Sequence, residues 1–344
     1  MRLTMLELYE PDRAFERLEE YLAEELREGL VADVFLGYGL SATLRREVSP
    51  SPPEPCRLPL LAARVRPRVE APEAAAGFRA GAWEPSWSAD EHAAAVDEVR
   101  AAIARGDVYQ VNLVQHLSAP CEGTAAALAA ALAPLRPLHP RPLAGDGWAI
   151  VSASPELFLA RRGDRLVTKP IKGTRPLGED VDDAKDAAEH VMIVDLERND
   201  LSRVSDVGSI RWPELMSQQE LAGVTHLVST VEGTLRPDAS LAEVLHATFP
   251  GGSVTGAPKV AAVDQIARLE PVGRGASMGA LGTIRPNGDF ELALTIRTFA
   301  LADGRAHLWV GGGIVWDSDA EAEIEESWVK ARPLLASLAA PALA

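Results

Sequence analysis

Apolar positions recur along this chain with two periods, and the switches between them mark its elements. Across residues 10–29, Phe15, Leu18, Leu22 and Leu26 share one face of a helical repeat, which predicts an amphipathic helix. VADVFLGYGL, residues 31–40, then predicts a strand. From Ser49 to Pro85 neither period holds and Pro, Ala and Arg abound, so a variable or loosely ordered connection is expected. Ser88 with Glu91 three residues on is a capping-box signature for a helix running to Arg105. VYQVNLVQHLSA, residues 108–119, predicts the next strand.

Beyond an Ala-rich helix and a Pro-rich loop, residues 147–174 alternate as strand, turn and strand. Residues 182–202 predict a helix, and THLVSTVEGTL (225–235) a strand. Residues 292–315 predict a hairpin turning near Asp303-Gly304, and residues 320–339 a closing helix. Strands come in runs with helices between them, without strict βαβ alternation. That pattern argues for an α+β fold, sheets covered by outer helices, rather than a doubly wound one. Residues 1–85 are expected to be a short variable segment of the same fold, and residues 86–340 its core.

Composition narrows the classes of partner. The chain has 344 residues, 47% of them apolar, which suits one large core better than a string of modules. Lys and Arg number 34 against 50 Asp and Glu, a net charge of −16, which argues against nucleic acid and anionic membrane as partners. An anionic substrate must therefore be held by local cations or a metal. Cys56 and Cys121 form no metal-binding or disulfide pattern. The N-terminus carries no secretory signal, and no run approaches about 18 apolar residues. A soluble cytoplasmic protein is expected.

Several short constellations could carry chemistry. In Pro170-Ile-Lys-Gly-Thr174, a partly desolvated Lys172 would become a nucleophilic amine; alone, it reads equally as a solvated turn lysine. Glu156 of Ser154-Pro-Glu could act as a general acid if buried, or be an exposed loop residue. Asp186 with Glu189, and Glu323 with Glu326, are each three apart on a predicted helix, a spacing that suits Mg²⁺ or a solvated acidic face. The Gly-rich stretch 249–259, holding Thr255 and Gly256, and the run Gly311-Gly312-Gly313 match neither a Walker A nor a Rossmann fingerprint. They could still offer backbone N–H groups to an anion, or simply turn the chain. Arg297, in an apolar run, suits a carboxylate or a structural ion pair, and His226 suits a site or a satisfied core position.

The order of these pieces is more specific than any one of them. GDVYQVNL, SASPELFL, PIKGTRP, AEHVMIVDLERNDLSRV, THLVST, FPGGSVTGAPKVAAVDQI, IRT, GGGIV and a closing E-x-x-E-x-x-x-K together resemble the chorismate-utilising enzymes, over residues 90–336. That family includes anthranilate synthase component I, aminodeoxychorismate synthase component I, isochorismate synthase and salicylate synthase. The resemblance implies antiparallel sheets packed as a sandwich with helices outside. It implies catalytic roles for Lys172, Glu156 and His226, and an Mg²⁺ held by Glu189 and Glu326 with Glu323 in support. It implies substrate binding by Thr255, Gly256, Arg297, Gly312, Gly313, Lys330 and Gln110.

Two positions sort the chemistry within the family. Lys172 resembles the aminodeoxychorismate synthases, whereas anthranilate synthases resemble PIAGT. Gln110 stands where the isochorismate and salicylate enzymes have a water-activating lysine, and glutamine is no base. The resemblance therefore implies amination of chorismate at C4, towards 4-aminobenzoate and folate. No nucleophile-elbow cysteine is present, so ammonia is expected from a separate glutaminase subunit. The alternatives are anthranilate formation and a non-catalytic subunit that regulates a glutaminase. Ser277 departs from the family, standing where a tyrosine would touch the substrate side chain, and Thr283 ends the same altered segment, SMGALGT.

Overall fold

Two antiparallel sheets organise the chain in a computed structural model that describes residues 5–47, 50–69, 77–176, 184–221 and 224–339. Among these residues the first sheet has ten strands and the second eight. The first runs Met5–Leu8, Leu61–Pro67, Leu30–Leu36, Ala280–Ile284, Phe290–Leu294, Leu157–Arg162, Arg165–Lys169, then Val224–Thr234. Ile171–Pro176 and Arg211–Leu221 both pair with Val224–Thr234. The second is built around Gln110–Gly123 and Arg305–Ile314, followed outward by Thr298–Ala302, Trp148–Ser152 and Leu143–Gly145.

The two sheets contribute to one shared core. Phe35, Leu36, Leu159, Leu281 and Leu292 of the first sheet belong to the same buried cluster as Val111, Leu113, Ile150 and Trp309 of the second. A smaller core, with Leu117, Phe299 and Leu308, lies between the second sheet and the helices Ala125–Leu132 and Ala320–Ala339. The α+β expectation holds, as a sandwich with outer helices. The helix Ala89–Arg105 begins at the Ser88 capping box, where Glu91 N donates to Ser88 Oγ and Ser88 N to Glu91 Oε2. No described helix is long and apolar enough to cross a membrane.

Three expectations need correction. The segment expected to be loose between Ser49 and Pro85 contains the strand Leu61–Pro67, whose Leu61, Ala62 and Ala63 are fully buried. Its arginines masked the apolar run. Arg66 is buried with them because its Nε and Nη2 donate to Asp33 at 2.6 and 2.9 Å. Residues 292–315 are not one hairpin. Phe290–Leu294 ends in the first sheet, and the chain crosses through Thr295–Arg297 into the second, where Thr298–Ala302 pairs with Arg305–Ile314. Arg297 therefore sits not in a strand but at this crossing, with a left-handed φ of 50°. The strand Arg211–Leu221 and the helix Leu241–Thr248 were not anticipated; the strand is largely exposed and its residues do not alternate.

A buried ion pair ties this frame together. Arg274 and Glu270 have side chains 1% and 2% exposed. Arg274 donates to both Glu270 oxygens, to Val254 O and to Asn112 O, and Glu270 Oε1 also accepts from Val114 N. Removing one member leaves the other charge uncompensated. Glu270→Ala is expected to cost about 3–5 kcal/mol of folding stability, read from the urea midpoint at constant slope.

Candidate active site

The candidate residues gather where the chain switches sheets. Ser154-Pro155-Glu156 carries it from Trp148–Ser152 into the first sheet, and Thr295–Arg297 carries it back. The two crossings lie side by side, with Ala153 N donating to Arg297 O and Leu294 N to Glu156 O, both at 2.9 Å. Glu156 is 5% exposed. Its Oε1 accepts from Ser253 Oγ at 2.7 Å and from Ile171 N at 3.4 Å. Burial pushes the carboxyl above its ordinary range, against the pull of Lys172, the two hydrogen bonds and Arg297.

Lys172 is placed by an irregular strand. Its register with Val224–Thr234 shifts between Lys172 and Thr174, and Gly173 there has φ 63°. Such a bulge re-aims the neighbouring side chain. Lys172 Nζ donates to Ser253 O at 3.1 Å. Burial pushes its pKa down, opposed by Glu156, Glu189 and Glu326, while Lys330 adds to the fall. An acid and an amine thus meet on one residue, and each is driven towards its neutral form.

His226 lies on the same bulge, 2% exposed, its Nδ1 2.9 Å from Gly173 O. A carbonyl only accepts, so Nδ1 carries the proton and the neutral ring offers Nε2 as an acceptor. Burial lowers its pKa, with Arg297 and Lys330 assisting against the Gly173 hydrogen bond, so the neutral ring is the resting form. Burial also lowers the pKa of Arg297, which Glu156 opposes.

The glycines act by close approach. A Cβ on Gly256, at φ 141°, would lie 2.1 Å from Gln110 O, and one on Gly313 would lie 1.9 Å from Gln110 Nε2. Gln110 is 1% exposed, and among the described residues its Oε1 has no hydrogen-bond partner. Over Gly312, the place of a Cβ is 3.4 Å from Lys330 Nζ, 3.5 Å from Glu323 Oε2 and 3.6 Å from Glu326 Oε1. Lys330 pairs with Glu326 Oε1 at 2.6 Å and donates to Gly311 O at 3.0 Å, while Glu323 Oε1 accepts from Ser318 Oγ at 2.6 Å. Glu189 lies on the helix Ala184–Ser202, which His190 fastens to the first sheet through Ser229 Oγ at 2.6 Å. The side chain of Asp186 lies outside the described residues. Among the described residues no group of three His, Cys, Asp or Glu side chains is placed to hold a metal ion.

Some expected contacts are already taken within the protein. Thr255 is fully buried, and its hydroxyl donates to Gly251 O and Gly252 O, closing its own turn. The expected anion at this Gly-rich turn is Glu197, whose Oε1 accepts from Gly252 N at 2.9 Å. Ser277 is fully buried and donates to Thr295 O at 3.2 Å. Thr283 lines a separate cavity of about 220 Å³ that no candidate residue borders. Ser253 and Glu197 were not singled out in the sequence, although both stand inside quoted motifs.

Known proteins resemble this chain to differing extents. A family model described as chorismate binding enzyme matches residues 7–336. Anthranilate synthase component 1 of Thermus thermophilus is 41% identical over 277 residues, 75% of this chain and 59% of that protein. Aminodeoxychorismate synthase component 1 of Klebsiella aerogenes is 39% identical over 283 residues, 78% of this chain and 62% of that protein. The chain thus spans about three fifths of the length of these relatives. The crystal structure of anthranilate synthase component I from Streptococcus pneumoniae matches with a TM-score of 0.84 at 26% identity, over 96% of this chain and 89% of that one.

Glu197 yields a test of the site's electrostatics. It is 4% exposed, and burial first, then the Asp200 charge, raises its carboxyl from 4.5 to about 7. A raised carboxyl gives stability that is complete below the unfolded value and is lost as pH rises through the folded one. Glu197→Gln cannot titrate, so it should gain on the wild type between pH 4.5 and 8. The gain grows with pH and is measured from urea midpoints across that range.

Proposed function

The chain belongs to the family of chorismate binding enzymes, and from that premise we propose that it replaces the C4 hydroxyl of chorismate with an amine. The carrying observation is the meeting of Glu156 and Lys172 on Ser253. The charged pair and the neutral pair hold the same number of protons. Desolvation favours the neutral one, a carboxylic acid beside a free amine. That is the protonation state that a displacement at an allylic alcohol requires.

The Lys172 nitrogen bonds to C2 of the ring as both conjugated double bonds shift and the C4–O bond breaks, and Glu156 gives its proton to the departing hydroxyl, which leaves as water. Ammonia then bonds to C4, both double bonds return and the C2–N bond breaks, freeing Lys172. The surplus proton of the new ammonium restores Glu156. The sum is chorismate plus ammonia giving 4-amino-4-deoxychorismate plus water, with one difficult displacement divided into two.

The other residues have supporting roles. His226, neutral with Nε2 as an acceptor, stands near the leaving group. Arg297, Lys330 and the amides of Gly312 and Gly313 hold the carboxylates, with Thr255 and Gly256 shaping the wall. The unpartnered Oε1 of Gln110 can accept from ammonia but cannot deprotonate water. Glu323 Oε2 and Glu326 Oε1 come within 3.5 and 3.6 Å of one point over Gly312, with Lys330 Nζ 3.4 Å from it, and Mg²⁺ takes one or two carboxylates beside its waters. With Glu189 they would hold Mg²⁺, which when bound supplies positive charge for the ring carboxylate. Ammonia comes from a separate glutaminase subunit, a reading supported by relatives named as component 1.

Near-equal identity to an anthranilate synthase keeps anthranilate formation as the rival. Lys172 favours amination at C4, since the alanine of PIAGT could form no adduct. Purified protein given chorismate, Mg²⁺ and an ammonium salt is expected to release a product with the hydroxyl exchanged for an amine, identified by mass. Anthranilate in its place would transfer the chain to the rival reaction. Glu156→Gln should lose about 10²–10⁴-fold in kcat, and Lys172→Ala should fall below detection. No turnover by the wild type would favour a non-catalytic subunit.

A further inference from the structure

Ser253 hydrogen-bonds to both reacting groups. It is 7% exposed and lies in the 3₁₀ turn Gly252–Val254. Its Oγ donates to Glu156 Oε1 at 2.7 Å, and its carbonyl accepts from Lys172 Nζ at 3.1 Å. Neighbours fix the turn on every side. Glu197 Oε1 accepts from Gly252 N at 2.9 Å, and Arg274 Nη1 donates to Val254 O at 2.7 Å. Asn112 N donates to Thr255 O at 2.8 Å. A Cβ on Gly252 would come within 2.7 Å of Leu196 Cδ2, so a glycine there lets the Glu197 helix approach.

We propose that Ser253 is a positioning residue that joins acid to amine, its hydroxyl holding Glu156 and its carbonyl Lys172, with Glu197 anchoring the turn. This rests on the reading of Glu156 as acid and Lys172 as nucleophile. Burial drives the pair towards its neutral form, whereas a hydroxyl donates more strongly to a carboxylate than to a carboxylic acid. Ser253 therefore opposes burial and keeps the proton transferable. Too little of this opposition would leave Glu156 reluctant to release its proton, and too much would leave Lys172 charged.

The groups facing Glu156 are Lys172 and the Ile171 N–H from one strand, Arg297 from the second crossing, and Glu197 from the helix beyond the turn. None of these is altered when only the Ser253 hydroxyl is removed. The test is an infrared difference titration of the Glu156 carboxyl in the ligand-free chain, its band assigned with Glu156→Gln. Ser253→Ala is expected to raise the midpoint by about one pH unit, and Ser253→Thr, which keeps a hydroxyl, to restore it. Ser253→Gly removes the hydroxyl by a second route if alanine disturbs the turn. An unmoved midpoint in the hydroxyl-free variants overturns the proposal. The titration needs no turnover, so its failure is distinct from the failure of chorismate amination. Where the wild type does turn over, the pH–rate profile of Ser253→Ala should move upward in pH while that of Ser253→Thr stays in place.

Discussion

The Arg274–Glu270 ion pair is the constraint on which the site depends. Burying a guanidinium and a carboxylate is costly unless nearly every donor and acceptor is met. Here the guanidinium meets both carboxylate oxygens, the carbonyls of Val254 and Asn112, and the face of Tyr38 at 4.4 Å. Val254 comes from the turn that carries Ser253 and Asn112 from the strand that carries Gln110. The pair thus sets the spacing between the second sheet and the turn without touching the cleft. Glu197 and Lys259 hold the other side, Glu197 through Gly252 N, Lys259 through Thr248 O and an ion pair with Asp200.

That frame accounts for the behaviour of the reactive pair. Two crossings between sheets place Glu156 and Arg297 side by side, and a bulge turns Lys172 towards them. Glu156 and Lys172 feel burial more than they feel each other, so charge is held back from the two ground-state groups that need to be neutral. Excess negative charge over the whole chain is no obstacle to the proposed reading, in which Arg297 and Lys330 supply the cations for the substrate's carboxylates. The Lys330–Glu326 contact, partly exposed, is the more easily exchanged of these interactions.

Much of this was legible in the sequence, and its gaps have physical reasons. Period and capping identified the helix Ala89–Arg105, and motif order identified the cluster around Lys172. The strand Leu61–Pro67 was hidden because Arg66 looks solvated until Asp33 is seen beside it. Arg297 was misplaced because a left-handed crossing between two apolar runs looks, in one dimension, like a single strand. Thr255 was read as facing the cleft, whereas its hydroxyl is spent on its own turn. Ser253 and Glu197 were overlooked because Ser253 meets two side chains distant in sequence and Glu197 a backbone amide, which no residue spacing encodes.

The central claim is that Lys172 bonds transiently to the substrate. The most direct measurement is peptide-level mass spectrometry of the protein mixed with chorismate and Mg²⁺ without any ammonium, quenched at early times. The account predicts an adduct of chorismate less one water on the peptide containing Lys172, which disappears when ammonium is added before the quench. Continued amination with Lys172 unmodified at every time point would contradict it.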